Sequence, residues 1–192
     1  MTYKKPTLNI GLIGTGFMGK THVFGFATAS RVFDMPFNIN LHSVADQTLE
    51  LAESAATKMG FQNATGNWLD LVNNPNIDII NITAPNSFHK EMTMAALEKR
   101  KHVYCEKPLA PSFKDAREMA IAAEVAGVKT QVGFNYLCNP MFALARKIIN
   151  EGSLGEILSY RGIHAEDYMA RGTELFSWRH ESNSLRCCCT SK

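Results

Sequence analysis

Apolar residues cluster along this chain in short runs, and the stretches between them carry helical spacing. Leu8–Ile13 is an apolar run ending in glycines, and Thr15–Ala29 then reads as a helix. Ile39–Ala45 repeats the strand pattern, followed by a helix over Gln47–Met59 rich in Ala, Leu and Glu. Trp68–Val72 reads as a short helix closed by Asn73-Asn74-Pro75-Asn76, which is turn chemistry. Strands are expected at Ile77–Ile82, His102–Cys105 and Val128–Phe134. Helices are expected over His89–Lys99, with Met92, Ala95 and Ala96 on one face, and over Ser112–Ala126, stopped by Gly127. Short apolar strands alternating with helices imply a parallel sheet covered on both faces. With right-handed crossovers this becomes the doubly wound arrangement of the α/β class, a Rossmann-type sheet.

The pattern changes near residue 140. Pro140–Asn150 is an amphipathic helix, Gly152–Gly155 a turn, and Ile157–Ile163 a strand of more alternating polarity, as one open face requires. These features place a boundary at about residue 135. Residues 1–135 then form the Rossmann-type domain, and 136–192 begin a second domain.

Composition narrows the function classes. A net charge of +2 and no dense basic block argue against a nucleic-acid surface, and Lys99-Arg100-Lys101 reads as a solvated link. No apolar run reaches the ~20 residues of a membrane span, and no signal-peptide core follows Met1, so a cytoplasmic protein is expected. Cys105 and Cys138 read as reduced thiols in apolar stretches. Cys187-Cys188-Cys189 lacks the spacing of a zinc site, and no metal is expected.

Candidate chemistry begins at Gly14-Thr15-Gly16-Phe17-Met18-Gly19, a G-x-G-x-x-G directly between an expected strand and an expected helix. Gly14 permits the tight turn, Gly16 admits a pyrophosphate close to the backbone, and Gly19 lets helix and strand pack closely. Phe17 and Met18 then lie at the helix N-terminus, where free N–H groups and a partial positive charge favour phosphate. A tight turn without ligand is the alternative. Asp46 ends the second strand, where its carboxylate can accept ribose hydroxyls and repel a 2′-phosphate, favouring NAD over NADP; a helix cap is the competing role. It lies 27 positions past Gly19, beyond the usual ~20, and Val32–Asn38 reads as an extended loop that accounts for the excess.

Thr83-Ala84-Pro85-Asn86-Ser87-Phe88-His89 and Glu106-Lys107-Pro108 each follow a strand at the carboxyl edge, where ligands of such sheets bind. Lys107, held by the following proline, can donate to a substrate oxygen and take part in proton transfer; a surface loop lysine is the alternative. Together with Ile13–His22, His102–Ala110 and Gly152–Glu156, these segments resemble the glucose-fructose oxidoreductase / inositol dehydrogenase / rhizopine-catabolism (Gfo/Idh/MocA) family over roughly residues 7–180. The resemblance implies a Rossmann domain, then an open-sheet domain, with NAD(P) between them. It also implies oxidation or reduction of a sugar, cyclitol or related polyol, and homo-oligomers among full-length relatives. Lys107 falls at the family's catalytic lysine. Thr83, Pro85, Asn86, Glu106 and Lys107 fall on the nicotinamide side, with Ala84 and His89 also counted as cofactor-binding candidates; for His89 a capping or core role is the alternative. Asn135 and Tyr136 are expected to face substrate at the domain junction.

The pattern then departs from the family. After Phe176-Ser-Trp-Arg179 an Asp-x-x-x-His pair is expected, but Phe176 stands four places before His180 and the chain continues through the cysteine triplet. The expectation is a second domain cut short, with an aberrant tail and little turnover. Two other readings stay open at this level: a non-catalytic dinucleotide-binding module, and a Rossmann-like methyltransferase, which gives no reason for Glu106-Lys107-Pro108.

Overall fold

In the computed structural model, residues 5–163 and 165 are described. The tail calls, from Phe176–Arg179 through His180 to Cys187–Cys189, lie outside them. Six strands, β1 (Thr7–Ile13), β2 (Asn38–Ala45), β3 (Asn63–Thr65), β4 (Ile79–Ile82), β5 (His102–Cys105) and β6 (Thr130–Val132), form one sheet in the order β3-β2-β1-β4-β5-β6. Every pairing is parallel. This is the doubly wound Rossmann order, whose direction reverses between β1 and β4. The helices are α1 (Phe17–Val32), α2 (Leu49–Met59), α3 (Trp68–Asn73), α4 (His89–Glu98), α5 (Phe113–Ala126) and α6 (Pro140–Asn150).

Strand alternation divides the core. On β1, Leu12 belongs to a cluster with Val23 of α1, Val44, Ala55 of α2 and Phe61. Its neighbour Ile13 belongs to a larger cluster with Leu71 and Val72 of α3, Ile80, Ile82, Met92 and Ala96 of α4, Val103 and Cys105. Adjacent strand residues point to opposite faces, so α1 and α2 cover one side and α3 and α4 the other. Cys105 is an inert member of this packing, since burial pushes its thiol up to about 12. Local signals set the helix ends. Thr48, Asn67 and Ser112 cap α2, α3 and α5 through side-chain oxygens, and Gly60 and Gly127 close α2 and α5 in left-handed conformation.

Several sequence expectations are corrected. Strand β3 was not anticipated, because three residues carry no periodicity. The helix expected to end at Ala29 runs on to Val32, and the loop expected over Val32–Asn38 is present as residues 33–37, between α1 and β2. Lys101 is not a solvated link residue. It is 9% exposed, and its ammonium donates to the carbonyls of Asn74 (2.8 Å) and Ile77 (2.6 Å), tying the turn before β4 to the end of α4. Burial holds its pKa below the usual lysine value, against the opposing pull of Asp78. Replacing it by Met leaves the buried Ile77 carbonyl without this donor. Lys101→Met is therefore expected to cost about 1–3 kcal/mol in urea unfolding, whereas a purely solvated lysine would cost nothing measurable.

A break in contact density falls after Gly133, and a second unit begins at Phe134. It contains a 3-10 turn, Asn135–Cys138, and α6, whose first turn has Pro140 and an Asn139 cap 2.9 Å from the Met141 N–H. The expected strand at Ile157–Ile163 is absent: these residues are exposed and pair with no strand among the described residues. Alternating polarity specifies a face, but a strand exists only when a neighbour supplies hydrogen bonds.

Candidate nucleotide site at the carboxyl edge

The glycine turn sits where the sheet reverses. Gly14 adopts φ +93°, and its N–H donates to the Ala45 carbonyl at 2.9 Å, anchoring the turn to β2. A Cβ on Gly14 would meet the Thr83–Ala84 backbone at 3.0 Å, so the turn after β1 and the loop after β4 touch directly. Thr83 bridges them further, its hydroxyl lying 2.7 Å from the Gly14 carbonyl and 3.1 Å from that of Ile13. Gly19 is buried, and a Cβ there would overlap the Gly14 carbonyl oxygen. This close approach brings α1 against its own strand.

Gly16 differs from both. It is exposed, and a Cβ built on it meets nothing within 4 Å. As N-cap of α1 it supplies no side-chain oxygen, so no cap side chain occupies the first N–H groups of the helix. Phe17 stands 77% exposed beside it, and Met18 is half-buried. Open backbone donors at a helix N-terminus, with no side chain in front, fit a dinucleotide pyrophosphate.

Asp46 lies at the end of β2, half-buried. Oδ2 accepts the Thr15 N–H at 2.9 Å and also the Thr15 hydroxyl, while Oδ1 accepts the Gln47 N–H at 2.7 Å. It is not the cap of α2, which is Thr48. The carboxylate thus rigidifies the glycine turn and retains acceptor capacity on Oδ1.

At the ends of β4 and β5, the candidates separate into two groups. Lys107 is exposed, and Thr83, Ala84 and Pro85 are half-buried. Asn86 is buried in a 3-10 turn, and Glu106 is buried beneath Lys107. The Lys107–Pro108 peptide is cis. His89 is 1% exposed and stands behind this edge. Its Nδ1 lies 2.9 Å from the Pro108 carbonyl and Nε2 2.8 Å from that of Ala84, so both nitrogens are committed to backbone. The ring braces the two loops that frame the site, the core role that the sequence left open. Asn135 and Tyr136 belong to the second unit, in its exposed 3-10 turn.

Sequence reasoning did not assign a role to His22, Asn81 or Thr15. His22 of α1 lies 2.9 Å from both Asn81 Oδ1 and Glu106 Oε1 and stacks on Tyr104. One signal was visible: Asn81 is a polar residue within an apolar strand, and it is fully buried.

The comparisons with known proteins agree with this geometry. Residues 8–134 match the family described as "Oxidoreductase family, NAD-binding Rossmann fold". Levoglucosan dehydrogenase of Pseudarthrobacter phenanthrenivorans is 39% identical over 92% of this chain and 45% of its own length. An inositol 2-dehydrogenase/D-chiro-inositol 3-dehydrogenase of Lactiplantibacillus plantarum is 32% identical over 90% of this chain and 49% of its own. A solved levoglucosan dehydrogenase in complex with NADH and levoglucosan superposes with TM-score 0.89 at 38% identity, covering 93% of this chain and 48% of that one. The chain spans about half the length of the curated relatives it matches. With the sheet order, the glycine turn and the family match in agreement, the chain belongs to the Gfo/Idh/MocA oxidoreductases and carries their NAD-binding Rossmann fold.

Proposed function

We propose that this chain is the cofactor-binding part of an NAD-dependent dehydrogenase acting on a sugar, cyclitol or related polyol. The observation that carries the reading is the meeting of the Gly14 turn with Thr83 at the sheet's reversal point, with Lys107 exposed at the end of β5 on the same edge. The glycine turn and the free N–H groups of α1 would hold the pyrophosphate, and Asp46 the adenosine ribose. Thr83, Ala84, Pro85 and Asn86 would flank the nicotinamide, which supplies the hydride donor or acceptor when bound. Lys107 would donate a hydrogen bond to the substrate oxygen, stabilising negative charge there and holding the proton exchanged with the hydroxyl. Asn135 and Tyr136 would contact substrate. A relative of 39% identity is named for levoglucosan, which puts anhydrosugars first among substrates to try.

Among the described residues no helix is long and apolar enough to cross a membrane, and Cys105 and Cys138 are free thiols. A reducing compartment that also supplies nicotinamide nucleotides, the cytoplasm, suits both the thiols and the cofactor. Homo-oligomers, expected of full-length relatives, are part of this proposal. Fluorescence titration with NADH and NADPH tests the reading. Saturable NADH binding at least ~10-fold tighter than NADPH is expected, about 1.4 kcal/mol. Binding of neither nucleotide overturns the assignment, and tighter NADPH overturns the role of Asp46.

A further inference from the structure

The buried polar chain under the site is costly and so demands a role. His22 and Glu106 are each 7% exposed at the side chain, Asn81 is fully buried, and all three lie in a face otherwise packed with apolar groups. His22 comes from α1, the helix whose N-terminus offers the phosphate donors, whereas Glu106 directly precedes Lys107. The ring is held by stacking on Tyr104, with centroids 4.6 Å apart and planes 23° from parallel. Nε2 lies 2.9 Å from Glu106 Oε1, a contact that does not depend on which way the Asn81 amide is turned.

Glu106 passes this constraint on. Its Oε2 accepts the Lys107 N–H at 3.1 Å, while Oε1 takes the His22 bond at 2.9 Å. The Glu106 N–H donates to the Ile82 carbonyl at 2.9 Å, and Gly133 leaves room for the carboxylate, since a Cβ there would overlap Oε1. One carboxylate therefore joins a side chain of the cradle helix to the backbone of the reactive lysine.

We propose that His22 is a positioning residue for Lys107, acting through Glu106 to fix the Lys107 backbone relative to the nucleotide-cradle helix. The value of that position for catalysis rests on the dehydrogenase reading above, but the coupling itself does not require bound cofactor. His22→Gln keeps a donor near Nε2 and can still reach Glu106, whereas His22→Asn places its amide near Nδ1 and falls short of it.

Amide hydrogen exchange in the full chain, read at the Lys107 N–H and at the Val103 N–H of β5, separates positioning from folding. In His22→Asn the Lys107 amide is expected to exchange ~10-fold faster or more, with Val103 within about 2-fold of wild type; His22→Gln is expected to restore Lys107 to within ~3-fold. Equal acceleration in both variants, no acceleration in either, or parallel acceleration at Lys107 and Val103 overturns the proposal. NADH titration of the wild type, run alongside, tests the dehydrogenase reading separately: failure to bind NADH removes that reading and leaves the exchange result to decide the coupling.

Discussion

Gly19→Ala is expected to abolish measurable NADH binding, weakening it at least ~100-fold (about 2.7 kcal/mol), and to lower the melting temperature. Helix propensity alone predicts the reverse, because Ala in place of a helical Gly gains about 1 kcal/mol. The outcome turns on what the new methyl meets. At Gly19 it would overlap the Gly14 carbonyl oxygen, with the Thr83 hydroxyl oxygen 3.2 Å away. Neither the Gly14 backbone nor the α1 backbone can yield without opening the glycine turn, which on the proposed reading would present the phosphate donors. Gly25 on the same helix is the internal control. A Cβ there meets nothing within 4 Å, so Gly25→Ala is expected to stabilise by roughly 0.5–1 kcal/mol with NADH binding unchanged. Thermal unfolding and fluorescence titration of the two variants check this. Equal behaviour would mean that the close approach at Gly19 is not what holds the cradle.

Asp46→Ala is expected to lose both affinity and selectivity, because the carboxylate has two duties. Its Oδ2 accepts the Thr15 N–H and hydroxyl inside the glycine turn, and under the proposed function its remaining acceptor capacity would take the ribose hydroxyls. Charge-assisted hydrogen bonds of this kind contribute about 1.5–3 kcal/mol each, so NADH binding is expected to weaken roughly 10- to 100-fold. NADPH binding should fall less, since the repulsion between carboxylate and 2′-phosphate disappears with the side chain. The ratio of the two dissociation constants is the diagnostic quantity. Asp46→Asn separates the duties further: it keeps an acceptor for Thr15 but removes the negative charge. An unchanged ratio in Asp46→Asn would assign the selectivity to shape instead of charge.

Much of the geometry of this edge is legible in the sequence. The glycine spacing between a strand and a helix, Asp46 at the end of β2, and Lys107 after β5 are local facts of sequence, and each sits on the expected carboxyl edge. Reading was poorer where a role depends on partners distant in sequence. Lys101 resembled its solvated neighbours Lys99 and Arg100, yet its ammonium finds two carbonyls 24 and 27 positions away. His89 looked as able to contact a ligand as to brace the core, and only the placement of Ala84 and Pro108 on either side of its ring decided between them.

The sequence by itself determined the class, the order of most elements, and the place of the glycine turn between β1 and α1. Periodicity, caps and glycine positions act over a few residues, and right-handed crossovers leave few ways to stack the resulting units. The tertiary structure decided what no local rule reaches. It supplied β3 through pairing with β2, and it left Ile157–Ile163 without a ladder among the described residues. It also drew His22 of α1, Asn81 of β4 and Glu106 of the loop after β5 into one buried chain. These outcomes depend on which groups lie opposite each other after the sheet assembles. A strand needs a neighbour and a buried polar group needs a partner, and for β3 and for His22 these come from about twenty residues away or more.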